Sequence, residues 1–418
     1  MTTIQPSPGA PKPSSGTFVD LAASEHPLAF VATPGSGQTD TGPSGSWSYR
    51  TEVIGLGGFQ KECLIEDLAS GRVWRLASDE GTTRPIKPGL AKTNLTGTGL
   101  APAPLMTWTA GLHGDVTARV AGLLQEEGID FDALDVAVSQ RFASEGSFAK
   151  GEAIARVYDM EVAVHLVGVS AEADLSSTVE RALQASPAIA AVHNAAEGAF
   201  ALFVSGRSVP VEGVPQSTAP TQTDPFLRHA AQPHPVVGLH LNPNLQTKRT
   251  PDTDSGVSLG DNQSGAVGWR VLARGSYDLD TRLVESTVGF PELAAMETWN
   301  LVSDASNEAA PSGLAYFSAG TAFCYHTQLC RYANVRRMEI ASPRLVQVSD
   351  FSSTDGGGVA GAVDTQLFLN GSLDGDAASS LLTAAANTCY AHQALGAAVE
   401  RPTPVVSTST EAGSGRSA

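Results

Sequence analysis

Pro311-Ser312-Gly313-Leu314-Ala315-Tyr316-Phe317-Ser318-Ala319-Gly320-Thr321-Ala322-Phe323-Cys324 is the stretch on which the reading of this 418-residue chain turns. Pro-Ser ahead of an apolar run is a helix start signal, and the pattern predicts a helix from about Gly313 to Val335. Leu314, Ala315, Phe317, Ala319, Ala322, Phe323 and Leu329 fall on every side of that helix, so it expects burial all round. A cysteine stands in its middle. Upstream, Trp269–Tyr277 and Thr281–Thr287 read as a hairpin, with a further strand near Glu297–Val302. Downstream, strands are expected near Arg337–Val348 and Thr365–Leu369. A last helix, capped by Asp376 and running through Ala377 to Leu395, carries Cys389. Strands grouped around buried helices predict α+β, with antiparallel sheets wrapped around central helices.

The same order recurs earlier in the chain. Trp74-Arg75-Leu76-Ala77-Ser78-Asp79 matches Trp299-Asn300-Leu301-Val302-Ser303-Asp304. Pro102, Leu105 and Ala110-Gly111 match Pro311, Leu314 and Ala319-Gly320, and Asp174 with Ser176-Ser177 matches Asp376 with Ser379-Ser380. Three matches in one order argue for a duplicated domain. The expected organisation is an arm at 1–45, a first domain at 46–210, a linker at 211–235, a second domain at 236–401 and a tail at 402–418. Arm, linker and tail are rich in Pro, Gly, Ser and Thr and read as solvated. A polar stretch from Thr247 to Ser264 reads as a long loop into the second domain.

Composition narrows the function classes. Hydrophobic residues make up 42% and charged residues 17%, which is a globular balance. A net charge of −17 opposes binding to nucleic acid or anionic lipid. No stretch approaches the ~20 apolar residues of a membrane span, and Met1–Phe18 has no apolar signal core, so the expected location is cytoplasmic. The four cysteines, Cys63, Cys324, Cys330 and Cys389, are too sparse for a disulfide scaffold and lack the paired spacing of a structural zinc site. Two thiols on the two central helices of one domain, however, could face each other.

The 311–324 stretch resembles the first central helix of the OsmC/organic hydroperoxide resistance family, in which a Pro and an Ala-Gly run lead to a peroxidatic cysteine. Leu381-Leu382-Thr383-Ala384-Ala385-Ala386-Asn387-Thr388-Cys389 resembles the helix that carries the family's second cysteine. The resemblance covers about 265–400 well and 46–210 more loosely. It implies two OsmC-like domains fused as an intramolecular pseudo-dimer, and a stress-response peroxidase acting on small hydrophobic organic hydroperoxides. Cys324 would attack, Cys389 would resolve, and an external dithiol would reduce the pair, with no bound cofactor or metal.

The family lowers the attacking thiol's pKa with an arginine held by a glutamate. Here the family's Glu position falls on Leu314, leaving Glu308 as a substitute; Arg270, Arg274, Arg282 and Arg75 are the candidate cations. The Pro that usually follows the second cysteine is Tyr390, so the helix is expected to pass Cys389 unbroken. His326 and His392 are additions to the pattern. Either, acting as base on Cys324, gives a hydrolase-like alternative on a small metabolite. His326 and Cys330 share a helical face at metal-ligand spacing, with a hydrogen-bonded core histidine as the plainer reading. Arg331, Arg336 and Arg337 read as caps for the helix's last carbonyls.

In the first half, Asp115 aligns with Cys324 and Ser186-Pro187 with Cys389-Tyr390, which excludes a second peroxidatic site. Cys63 reads as structural. A non-catalytic small-molecule-binding module is the third reading, and pairing into a homo-oligomer stays open.

Overall fold

The computed structural model describes residues 21, 27–35, 45–81, 97–169, 174–231, 244–249, 268–292 and 297–410. The chain opens with β1 (Ala29–Thr33), β2 (Gly45–Gly57), β3 (Gln60–Asp67) and β4 (Val73–Ser78). Helix α1 (Pro104–Glu126) follows, then β5 (Ala133–Glu145), β6 (Ile154–Val167), α2 (Leu175–Ala185), α3 (Pro187–His193), β7 (Ala199–Val204) and β8 (Arg207–Val209). A short helix, α4 (Phe226–Ala231), lies in the connection. The second half runs β9 (Gln246–Arg249), β10 (Trp269–Tyr277), β11 (Leu283–Gly289), β12 (Thr298–Asp304) and α5 (Gly313–Val335). It continues through β13 (Ala341–Thr354), β14 (Gly357–Ala360), β15 (Asp364–Asn370), α6 (Gly375–Thr388), α7 (Tyr390–Gly396) and β16 (Val405–Ser409).

Among the described residues these strands form two sheets. One is ordered β1-β4-β3-β2-β13-β15-β7-β8 with β14 added to β13; the other is β9-β12-β11-β10-β5-β6-β16. Each sheet therefore takes its first four strands from one half and its next two from the other. The crossings are long antiparallel pairings, Gly45–Ile54 of β2 against Arg344–Ser353 of β13, and Trp269–Tyr277 of β10 against Leu134–Phe142 of β5. Among the described strands, β7 on β15 and β16 on β6 pair in parallel. The fold class is α+β with antiparallel-rich sheets, as expected.

Helices α1 and α5 pack against each other between the sheets, and both are buried along most of their length. Two glycines make that approach close. A β-carbon at Gly111 would run into the backbone of Phe317, and one at Gly320 into the backbone of Trp108. The Trp108 and Phe317 rings meet at a tilt with centroids 4.9 Å apart, and each such buried ring is worth roughly 1.5–3 kcal/mol. On α5, Ser318 and Thr321 each donate at 2.9 Å to the carbonyl four residues back. Ser312 caps α5 by accepting from the Ala315 amide at 3.0 Å, so the predicted start and end of this helix both hold.

Several expectations need correction. The last helix is not continuous: Cys389 is extended (φ −78, ψ 107), closing α6 and opening α7. Asp374, not Asp376, is the cap, its carboxylate accepting from Ala377 N at 2.7 Å. The strand expected near Arg337–Val348 starts only at Ala341, because Arg337 sits at φ 55 in the turn that leaves α5. Solvated linker does not describe 211–231. Pro215 and Ser217 bond Phe200, Asp224 pairs with Arg344 at 2.6 Å, and Arg228 reaches Glu52 and Glu66 at 2.7 Å. The arm and the tail each contribute an edge strand, β1 and β16, and Gln246–Arg249 forms β9. The rest of the Thr247–Ser264 loop lies outside the described residues.

Candidate functional site

Cys324 lies three turns into α5, and the break at Cys389 brings the second sulfur onto it. Both residues are buried, both thiols are free, and Cys389 hydrogen-bonds Cys324. The break also leaves amides at the start of α7 without helical acceptors, and Ala391 N–H turns to the Cys324 sulfur. Burial alone would raise the Cys324 thiol. The bond from Cys389, the Ala391 amide and the positive charge of Arg331 outweigh it and set that thiol below its ordinary value. Burial pushes the Cys389 thiol well up, and its bond to Cys324 adds to the rise. Cys324 is therefore the more acidic sulfur of the two.

Arg331 and Glu80 are among the charges that bear on Cys324. Arg331 is seven residues beyond Cys324, two turns along the same face of α5. Its guanidinium is 3.6 Å from Glu80, donates to Gln328 at 3.3 Å and lies 5.5 Å over the Phe59 ring. Arg331 thus faces a carboxylate from the N-terminal half and does not cap the helix. Tyr390, beside Cys389, hydrogen-bonds Ser144. Its ring packs edge-on against Trp269 at 5.1 Å and Phe142 at 5.6 Å, and Trp269 meets Phe290 at 5.5 Å. This aromatic wall draws on strands of both halves.

The other proposed supports lie elsewhere. Arg270 pairs with Glu292 at 2.8 Å and approaches Glu161 at 3.8 Å. Arg75 is buried against Glu62. Arg274 stands on β10 opposite Ala137, and Arg282 is in the β10–β11 turn at φ 61. Glu308 is exposed, and its carbonyl accepts from Arg72.

Neither histidine is placed as a base on Cys324. His326 uses Nε2 on the Pro343 carbonyl at 3.1 Å and Nδ1 on Cys330 at 3.7 Å. This pair lines a cavity of about 240 Å³ with Gly55, Gly57 and Asn334. Burial holds His326 neutral, at about 3, and pushes Cys330 up to about 12. His392 instead meets Cys389, Nδ1 to Sγ at 3.2 Å, while one edge of its ring borders a cavity of about 490 Å³ with Asn387, Gln393 and Phe200. Cys63 is buried on β3, and burial raises its thiol.

Sequence reasoning missed Arg331, Glu80, Tyr390 and Lys61. Lys61 is fully buried, donates to the Phe59 carbonyl at 2.6 Å, and is pulled down by burial against the opposing acids Glu80, Asp79, Cys330 and Cys324. A signal for two of them existed. Arg331 has helical spacing from Cys324, and Glu80 follows the Trp-x-Leu-x-Ser-Asp motif in the first half where the second half has Ala305.

The first half shows what replaces the sulfurs. Asp115 accepts from Ser186 Oγ at 2.6 Å, from Ala188 N at 3.3 Å and from Arg119 Nε at 3.0 Å. Ser186 opens α3 as Cys389 opens α7, and Ala188 is two residues on, as Ala391 is. The carboxylate takes the place of the Cys324 sulfur and the hydroxyl that of the Cys389 sulfur.

Among the described residues no helix is long and apolar enough to cross a membrane, and no group of three or more His, Cys, Asp or Glu is placed to hold a metal. No family model and no curated protein matches the chain. Among solved structures, the crystal structure of an OsmC-like hydroperoxide resistance protein from Jannaschia sp. CCS1 is similar, at 16% identity over 34% of this chain and 82% of that one, with a TM-score of 0.18. A superposition at that score does not establish a shared fold.

Proposed function

We propose that this protein is a cysteine-based peroxidase of organic hydroperoxides, built as a fused pair of OsmC-like repeats with one reactive site. The observation that carries it is the meeting of two free, buried thiols, one on α5 and the other at the break between α6 and α7. Cys324 thiolate attacks the terminal oxygen of R–O–OH; the O–O bond breaks, the alcohol leaves with a proton, and the sulfur becomes a sulfenic acid. The Cys389 sulfur then displaces hydroxide from Cys324, its own proton completing water, and a disulfide forms. An external dithiol returns the pair to two thiols by exchange. Attack of that dithiol on the Cys389 sulfur releases Cys324, the better leaving group, and the cavity bordered by His392 offers an approach from that side.

The matched strand orders, the reciprocal seats of Gly111 and Gly320, and the equivalence of Asp115–Ser186 with Cys324–Cys389 support the fused-pair reading. Arg331 with Glu80 supplies the cation and carboxylate, each from a different half. The aromatic wall favours apolar, aryl or lipid-like hydroperoxides. Cumene hydroperoxide should remove two thiols per reduced chain, and Cys324→Ser should abolish that loss. Unchanged thiols in the wild type, with no hydroperoxide consumed, refute the proposal.

A further inference from the structure

His326 and Cys330 stand four residues apart on one face of α5 and border the same cavity of about 240 Å³. The histidine is fixed in one tautomer. Its Nε2 lies 3.1 Å from the Pro343 carbonyl, which can only accept, so the ring proton resides there and Nδ1 keeps its lone pair. A β-carbon at Gly55 would stand 3.3 Å from the ring's Cε1 and Nε2, so the imidazole is seated closely against glycine backbone. The Nδ1 lone pair faces the Cys330 sulfur 3.7 Å away, and the thiol hydrogen lies between them. An imidazole anchored through its far N–H on a backbone carbonyl is the arrangement that ligating histidines adopt.

A third soft donor reaches this cavity. Helix α5 ends in a turn in which Arg337 is left-handed at φ 55 and the Met338 amide bonds back to the Ala333 carbonyl at 2.8 Å. That turn folds Met338 back beside the helix, where it lines the cavity with His326 and Cys330. Thiolate, imidazole and thioether together suit a soft ion and suit hard cations poorly. The spacing agrees, because metal–sulfur and metal–nitrogen bonds of about 2.3 and about 2.0 Å, opened to about 120°, place sulfur and nitrogen about 3.7 Å apart. That is the angle of a three-coordinate centre.

Charge then selects the valence. Lys61, on β3, is fully buried, and its positive charge bears on both His326 and Cys330. A monovalent ion on one thiolate is neutral overall, whereas a divalent ion would leave a net positive charge facing Lys61 in a buried place. We propose that His326, Cys330 and Met338 form a binding site for a soft monovalent ion of the Cu(I) class, distinct from the Cys324–Cys389 pair. On binding, the Cys330 S–H bond breaks, its proton leaves to solvent and a sulfur–metal bond forms, with no change of oxidation state. The inference does not rest on the peroxidase reading.

The test is an anaerobic titration of the reduced full chain with Cu(I) held on a coloured chelator, in a Cys324→Ser, Cys389→Ser background that silences the other thiol pair. One ion per chain should transfer to the protein. Cys330→Ser should abolish the transfer, and His326→Phe and Met338→Leu should each weaken it by about tenfold or more. X-ray absorption at the copper edge should show one nitrogen and two sulfurs, with one sulfur lost in Met338→Leu. Zinc should bind at least about a hundredfold more weakly than Cu(I). No transfer from the chelator, or a transfer that survives Cys330→Ser, overturns the proposal, and equal affinity for zinc overturns the assigned valence. If the double-serine background does not fold, wild type and Cys330→Ser should differ by one ion per chain, and no difference overturns the proposal. A chain that takes up the ion through Cys330 but consumes no hydroperoxide refutes the peroxidase reading alone.

Discussion

Replacing Gly111 or Gly320 by alanine adds one methyl where the other central helix's backbone already stands. The obstacle is main chain in both cases, Phe317 for the first and Trp108 for the second, so no rotamer change makes room and α1 and α5 must separate. Overpacking of this kind costs about 3 kcal/mol, of which the higher helix propensity of alanine returns about 1 kcal/mol. A net loss of about 2 kcal/mol is therefore expected for each, and the two losses should agree because the seats are reciprocal. Gly122, on the same helix α1, has nothing within 4 Å of a β-carbon, so Gly122→Ala should gain about 0.5–1 kcal/mol. Urea unfolding of the three variants reads all of this, the first two midpoints falling and the third rising. Cys324 is one turn beyond Gly320, so Gly320→Ala should also slow disulfide formation after a hydroperoxide pulse. Equal midpoints for Gly111→Ala and Gly122→Ala would refute the close helix contact.

Arg331→Met should raise the Cys324 thiolate midpoint by about one unit and cut the hydroperoxide reaction at neutral pH about tenfold; Glu80→Gln should shift the midpoint downward, because that carboxylate opposes the thiolate. Stopped-flow consumption against pH separates the two. Cys330→Ser and His326→Phe should leave the two-thiol loss intact by mass spectrometry, since that pair is held by Pro343 and not by Cys324. Asp115→Asn should cost about 1–3 kcal/mol in urea unfolding by removing the carboxylate that faces Arg119, and leave thiol chemistry unchanged. Stability should fall on acidification. His113 is buried with its folded value lowered to about 4, so the unfolded chain binds the extra proton first. Its contribution, about 3 kcal/mol, is present above about 6.5 and is lost as pH falls from there toward 4. A urea midpoint that stays flat between pH 7 and 4 contradicts a neutral buried His113.

What the chain's residues disclosed unaided was its repeated framework. Pro311-Ser312 and the all-round apolar pattern placed α5 with the right ends, and the Trp-x-Leu-x-Ser-Asp pairs marked β4 and β12. The break at Cys389 was hidden because Tyr390 carries no signal comparable to Pro187 in the other half; tertiary bonds from the α7 amides to sulfur stand in for it. The Asp376 assignment failed by two residues, since either of two nearby aspartates satisfies the cap pattern and only side-chain reach separates them. The cation was sought on strands preceding Cys324, whereas it lies two turns beyond on the same helix. Its carboxylate, Glu80, comes from the opposite half, and no local pattern in the sequence records a partnership across 251 positions. The linker's Pro-rich composition also concealed Asp224, Arg228 and His229, whose partners are scattered over β2, β3 and β13.

The crossing of β2 onto β13 and of β5 onto β10 constrains how the molecule comes into being. During synthesis, β2 and β5 emerge well before the strands that pair with them, and until then they present unsatisfied edges of the kind that recruit strangers. Closing those pairings demands loops of more than a hundred residues, which makes assembly slow. A protein wired this way fixes the stoichiometry of its halves at one to one for as long as the polypeptide stays intact.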